Sequence, residues 1–161
     1  MMDYDEFKQR ALGKQEQFKK TLKNLKRLRD NEVDGLFHSA HDRAFEEINC
    51  LDCALCCKHV GPMWTGQDIK RVAKAFKLKE KEFESEYLRI DEDGDYVFKS
   101  MPCPFLLEDN KCMIYDIRPK ACREYPHTDR RKMKQLFKLT LKNSSHCPAV
   151  EKILDDLGKE I

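Results

Sequence analysis

The stretch "CLDCALCC", residues 50–57, gathers four thiols within eight residues. Cys50, Cys53 and Cys56 recur at strict three-residue intervals, and Cys57 follows directly. In a helix Cys50, Cys53 and Cys57 share one face; in a tight knuckle Cys50, Cys53 and Cys56 converge instead. Either way three or more sulfurs approach a common point. Thiolates placed there repel unless a soft cation neutralises them, and that cation also depresses their pKa values. Burial of free cysteine as a small hydrophobe accounts for one or two isolated thiols but not for this spacing. Metal binding is the chemistry to which the run points. Cys103, Cys112, Cys122 and Cys147 follow singly and bring the total to eight.

An even count of cysteines raises the question of disulfides, and eight would allow 105 connectivities. The opening "MMDYDEFKQR" is acidic and polar and lacks the apolar core of a secretory signal. A cytoplasmic location is expected, where thiols stay reduced. A chain of 161 residues also builds its core without covalent staples. The adjacent pair Cys56-Cys57 adds little to a disulfide framework.

Among metal templates, a zinc ribbon needs two C-x2-C knuckles, and the second half of the chain has none. A radical enzyme that reduces S-adenosylmethionine needs C-x3-C-x2-C, and from Cys53 and Cys57 the third position falls on Val60. The bacterial ferredoxin run pairs C-x2-C-x2-C with a later Cys-Pro. "CLDCALC" supplies the first part, and Cys103-Pro104 and Cys147-Pro148 echo the second. One four-iron cubane uses four thiolates, whereas two tetrahedral zinc sites use all eight. The spacing favours an iron–sulfur cluster over zinc and leaves both open.

Other residues lie close to these thiols in sequence. Arg118, in "IYDIRP", either donates to the thiolates and balances a cofactor's charge or staples the turn by pairing with a carboxylate. His59, His127 and His146 neighbour cysteines, but eight thiols leave no need for a further ligand. Phe105, Tyr115 and Tyr125 read as an apolar wall that limits solvent access.

The elements that position these groups are mainly helical. Apolar residues recur at helical spacing over 3–29, and a second helix runs to about Asn49 beyond the turn residues Asp30 to Gly35. Residues 1–49 are read as a helical hairpin or arm, and 50–161 as the cysteine-cluster domain. Thr65 is the expected N-cap of the next helix, followed by a short helix in "KEKEFESEYL". A hairpin is expected around Asp93-Gly94. A second, turning at Glu108–Lys111, would bring Cys103 towards Cys112. Pro119 opens a helix carrying Cys122, "DRRKMKQLFKLTLK" (129–142) forms an amphipathic basic helix, and Pro148 begins the last one. The expected fold class is mainly α with small β-hairpins, an irregular cysteine-rich metal-binding domain with an N-terminal helical arm.

Charged residues make up 37% of the chain, with a formal net charge of +2. Charges of both signs are mixed along most of the chain, which argues against nucleic acid as a partner. No apolar run reaches the roughly 20 residues of a membrane span. There is no G-x-G-x-x-G fingerprint and no P-loop, and six glycines leave little material for a phosphate cradle. Stand-alone catalysis has the least support. The three classes in view are an iron–sulfur protein in redox or electron transfer, a zinc-stabilised interaction module, and a redox or protein-modifying enzyme dependent on a partner. A protein partner would dock through the N-terminal arm.

The elements "CLDCALCC", "PCPFL" (102–106), "KCMIYDIRPKACREYP" (111–126) and "HCP" (146–148) resemble the CxxCxxCC-type (YkgJ-like) cysteine-cluster proteins, a zinc- or iron-chelating domain. The resemblance covers roughly residues 50–150 and all eight cysteines; Tyr125 stands where the family often has phenylalanine. It implies that Cys50, Cys53, Cys56, Cys57, Cys103, Cys112, Cys122 and Cys147 are the metal ligands. It further implies an iron–sulfur label for many members and a link to larger relatives that methylate flagellin lysines.

Overall fold

A computed structural model describes residues 3–161. In chain order the helices begin with α1 (Tyr4–Gly13), α2 (Gln15–Leu25), α3 (Asp30–Glu47), α4 (Cys50–Cys53) and α5 (Leu55–His59). They continue with α6 (Gly66–Ala75), α7 (Glu80–Tyr87), α8 (Lys120–Glu124), α9 (Phe137–Asn143) and α10 (Pro148–Glu160). Two strands, β1 (Leu88–Ile90) and β2 (Tyr96–Phe98), pair antiparallel with Leu88 opposite Phe98. The chain is thus mainly helical with one small sheet, as its periodicity predicts. It divides into two compact units: the chain up to Cys53 together with Pro126–Ile161, and Ala54–Tyr125. The helices expected as an arm over 1–49 therefore share the first unit with the C-terminal segment.

In the first unit, the helix expected over 3–29 is broken in two. Gly13 is a poor helix former, and the Lys14 N–H caps α1 on the Ala11 and Leu12 carbonyls. Phe18, Leu22 and Leu25 of α2 pack with Val33, Phe37, Ala40 and Ala44 of α3 and with Ala149, Val150, Ile153, Leu154 and Leu157 of α10. The apolar stripe of the N-terminal helices is spent on this core. Helices α3 and α10 run antiparallel, with Lys152 paired to Glu47 at 3.3 Å and Arg43 paired to Glu160. The C-terminal end of α3 thus lies by the start of α10. The basic helix is shorter than expected: Lys132 takes a left-handed conformation, φ 56°, and a 3-10 turn precedes α9. The Asp34 carboxylate accepts the Lys132 and Met133 N–H groups there, both at 2.9 Å.

The second unit is built around an aromatic cluster. Trp64, Phe83, Phe98 and Phe105 are buried with Ile69, Val72, Leu88 and Ile114, and Cys103 and Cys112 pack against them. Thr65 caps α6 as its sequence predicts. The turn at 91–95 joins β1 to β2 as expected, with Gly94 at φ 84°. The second expected hairpin is reduced to one bridge, Leu106 opposite Cys112. Prolines 102 and 104 remove donors from one side of it, and Asn110 closes the turn at φ 66°.

Candidate metal centre

Around the leading cysteines the backbone is neither one helix nor a simple knuckle. Single-turn α4 ends at Cys53, Ala54 turns the chain left-handed (φ 49°, ψ 16°), and α5 restarts at Leu55. A residue with a Cβ adopts that conformation at a cost of about 1 kcal/mol, and buried Ala54 holds it. The break coincides with the boundary between units. Cys50 and Cys53 belong to the first unit, Cys56 and Cys57 to the second. None of the eight cysteines is joined in a disulfide.

In the second unit the backbone joins two of the cysteine segments directly, the Cys103 N–H donating to the Cys57 carbonyl at 2.8 Å. The Met113 N–H donates to the Phe105 carbonyl at 2.8 Å, which brings the Cys112 strand back beside Cys103. Burial pushes the Cys103 thiol up to about 11, the nearby Cys57 and Cys112 add to this, and the Phe105 and Leu106 N–H groups on its sulfur oppose it. Cys112 is raised by burial and by Cys57, against the Ile114 N–H and Arg118. Cys122 is pushed up to about 12 by burial and then by Cys57, Cys103 and Cys112. Every pair among Cys57, Cys103, Cys112 and Cys122 is therefore within electrostatic reach. Cys57 differs: a hydrogen bond from the Cys56 thiol, opposed by burial and aided by Lys58, lowers it to about 7. Of these four it is the thiol readiest to ionise.

Two residues that the thiol pattern does not reveal position Cys122. Asp68, 1% exposed, accepts from the Thr65 N–H and hydroxyl at 3.0 and 2.7 Å, from Arg71 at 2.9 Å and from the Lys120 N–H at 3.2 Å. Arg71 in turn donates to the Ile117 and Arg118 carbonyls at 3.2 and 3.0 Å. The start of α6 is thereby tied to the start of α8. A Thr-x-x-Asp capping pattern was the available signal, but it does not say that the carboxylate also holds a segment 52 residues away.

Burial would raise the Asp68 carboxyl, yet the hydrogen bonds from Thr65, Arg71 and Lys120 outweigh it and hold the group below its ordinary 3.8. The unfolded chain therefore takes up this proton first as the pH falls. The stabilisation is full above 3.8 and is lost as the pH drops through the lower folded value. Asp68→Asn should cost about 2 kcal/mol at pH 7, the order of one hydrogen bond to a charged group. Urea unfolding followed by the fluorescence of Trp64, the one tryptophan, should show the gap to wild type shrinking at pH 3. An equal gap at both pH values would refute this role.

In the first unit Cys147 precedes α10 as its N-cap residue. Burial pushes its thiol up to about 12; the Val150 and Ala149 N–H groups on its sulfur oppose this, and the nearby Cys50 and Cys53 add to it. The thiols thus fall into a group of four in one unit and a group of three in the other, with Cys56 hydrogen-bonded to Cys57. Among the described residues, no three His, Cys, Asp or Glu side chains are closed up to metal-holding geometry.

Arg118 is held by Tyr115: its Nη1 donates to the Tyr115 carbonyl at 2.6 Å and its guanidinium lies 3.9 Å from the ring centroid. Of the two roles expected for Arg118, the turn is stapled by this backbone and ring contact without a carboxylate, and the charge also favours ionised Cys112 and Cys122. Tyr115 is 48% exposed and serves as a platform for Arg118, while Phe105 is core. His146 Nδ1 and the Tyr4 hydroxyl share a hydrogen bond of 3.0 Å.

A family model, CxxCxxCC, described as "Putative zinc- or iron-chelating domain", matches residues 49–148. The chain belongs to this family. The matched stretch encloses all eight cysteines and both thiol groups. In this CxxCxxCC protein the donor set fits its family's description: soft thiols, peptide N–H groups directed at sulfur, and a cationic side chain beside them. No solved structure matches the chain. Among the described residues, no helix is long and apolar enough to cross a membrane.

Proposed function

We propose that the second unit holds an iron–sulfur cluster of the four-iron type on Cys57, Cys103, Cys112 and Cys122, and that the protein works in electron transfer or redox sensing in the cytoplasm. The observation that carries this reading is that these four thiols, from four separate segments, all lie within electrostatic reach of one another. Such a cluster takes four thiolates and supplies one-electron chemistry. The chain supplies its surroundings. N–H groups of Phe105, Leu106 and Ile114 stabilise thiolate charge, Arg118 offsets part of it, and the aromatic cluster behind Cys103 and Cys112 keeps water away. Cys57 ionises first and is the natural first ligand. The apolar stripe of α1–α3 is buried, so a protein partner of the N-terminal helices would meet their polar face.

Zinc on the same four thiolates is the second reading. Four thiolates also complete the tetrahedral coordination of a structural zinc ion. Metal and acid-labile sulfide analysis, with an absorption spectrum, on protein purified without oxygen separates the two. Matched iron and sulfide with a brown colour lost in air is the expected result. Colourless protein holding zinc would overturn the redox role, and the site would then be structural.

A further inference from the structure

We propose that the first unit carries a basic face for the phosphate backbone of duplex nucleic acid, formed where α2 packs beside α9. Residues 17–29 hold six Lys or Arg and no acid, and residues 130–142 likewise hold six and none. Twelve of the chain's 31 basic residues thus lie in 26 positions that contain none of its 29 acidic ones. The other 135 positions carry 19 basic against 29 acidic residues, so the formal net charge of +2 conceals the polarity.

The fold lays the two runs side by side. Helix α2 packs on α9, and at one end of the pair the Gln15 amide donates to the Ser144 hydroxyl at 2.9 Å. At the other end the Lys134 ammonium donates to the Leu28 carbonyl and pairs with Asp30 at 2.9 Å. The runs are therefore antiparallel. Helical spacing puts Lys19, Lys23 and Lys26 on the flank of α2 that Gln15 turns towards α9. Lys138 and Lys142, one turn apart, are exposed on α9. Three of the twelve charges are neutralised, Lys19 by Glu16, Arg29 by Glu32 and Lys134 by Asp30. Among the described residues, Lys20, Lys23, Lys26, Arg27, Lys138 and Lys142 are exposed and lie in no ion pair. Cations at this density repel one another, and a row of phosphates relieves that repulsion while releasing its own counterions.

The surroundings select the polyanion. Phe18, Leu22, Leu25 and Phe137, the apolar sides of these helices, are buried in the unit's core, so no apolar face remains to enter an acyl layer. Phe18 and Phe137 are also the aromatic residues of the two runs, which leaves no exposed ring there to stack on unpaired bases. Helix α2 is about 16 Å long, and the grooves of a duplex are roughly 6 and 12 Å wide, so its cations span phosphates of both strands. Lysine reads charge and not sequence. The face uses no thiol, so it stands or falls apart from the metal reading.

The test is fluorescence anisotropy of a short labelled DNA duplex titrated with the full chain, purified without oxygen. Affinity should fall roughly 100-fold between about 50 and 200 mM salt, as for about four phosphate contacts. Lys23→Gln with Lys26→Gln, and separately Lys138→Gln with Lys142→Gln, should each weaken binding about 10-fold at the lower salt and flatten the salt slope by about two. Lys74→Gln with Lys81→Gln removes the same charge from the second unit and should leave binding within about 2-fold. An equal loss in that control would show that net charge alone matters, and the face would be wrong. A single strand of the same sequence should bind more weakly, and tighter binding to it overturns the duplex assignment. Binding to vesicles of phosphatidylserine and phosphatidylcholine but not to the duplex would make the partner a lipid surface and overturn the proposal. So would the absence of duplex binding at the lower salt.

Discussion

Cys122→Ser should remove the metal proposed for the second unit. Cys122 is the residue on which Cys57, Cys103 and Cys112 all act, and a serine oxygen is a poor ligand for iron or zinc in a thiolate set. Metal content per chain should fall at least 10-fold at that site. A metal bound about 1,000-fold above its dissociation constant contributes roughly 4 kcal/mol of apparent stability, so the variant should lose most of that. The informative comparison is with chelator-treated protein. If Cys122 acts as a ligand, wild type and variant should unfold at nearly the same urea concentration once metal is removed. If the thiol only fills space as a small hydrophobe, the gap will be the same with and without chelator, and the ligand role is wrong.

Phe105→Ala should cost about 3–5 kcal/mol, the usual range for truncating a buried aromatic ring. Phe105 is 1% exposed, and its ring centroid lies 5.4 Å from Phe76, 5.0 Å from Tyr87 and 5.8 Å from Phe98. Aromatic pairs add about 0.5–1.5 kcal/mol beyond buried area. The same residue ties two thiol segments, because its N–H is directed at Cys103 and its carbonyl accepts from Met113. Phe105→Leu keeps the backbone bonds and most of the volume and should cost under about 1.5 kcal/mol. Trp64 sits in this cluster, 5.4 Å from Phe98, so its fluorescence reports the second unit directly. An alanine variant that unfolds within 1 kcal/mol of wild type would mean that the aromatic cluster is not what holds this unit together.

The two effects belong to different links of the chain from sequence to site. Phe105 builds the wall; Cys122 is carried to it by α8, whose start is pinned by Asp68. A loss at Asp68 should therefore weaken the position of Cys122 without touching any thiol. That is why the pH dependence traced to Asp68 and the metal dependence traced to Cys122 are separable measurements on one unit.

Much of this protein was readable from residue types alone. Metal chemistry followed from eight thiols and their spacing, because clustered thiolates need a cation whatever the fold around them. Helical content followed from apolar periodicity, and the caps at Thr65, Pro119 and Pro148 from local stereochemistry that acts within a few residues. The limits of local signals showed at Lys14 and Lys132, where one residue interrupts a periodic run. They showed again in the second hairpin, where Pro102 and Pro104 leave a single bridge.

The grouping of the thiols was decided by tertiary structure. In sequence, Cys50, Cys53, Cys56 and Cys57 read as one cluster; in the fold, a left-handed Ala54 sends the first two into one unit and the last two into the other. The sulfurs near Cys57 come from residues 46, 55 and 65 positions downstream, and the one near Cys50 and Cys53 from the start of the last helix. Spacing along the chain reports which thiols are free to meet within a turn. Which ones do meet across tens of residues depends on how the aromatic cluster of one unit and the helix pair of the other bury their apolar faces, and that is a property of the packed whole.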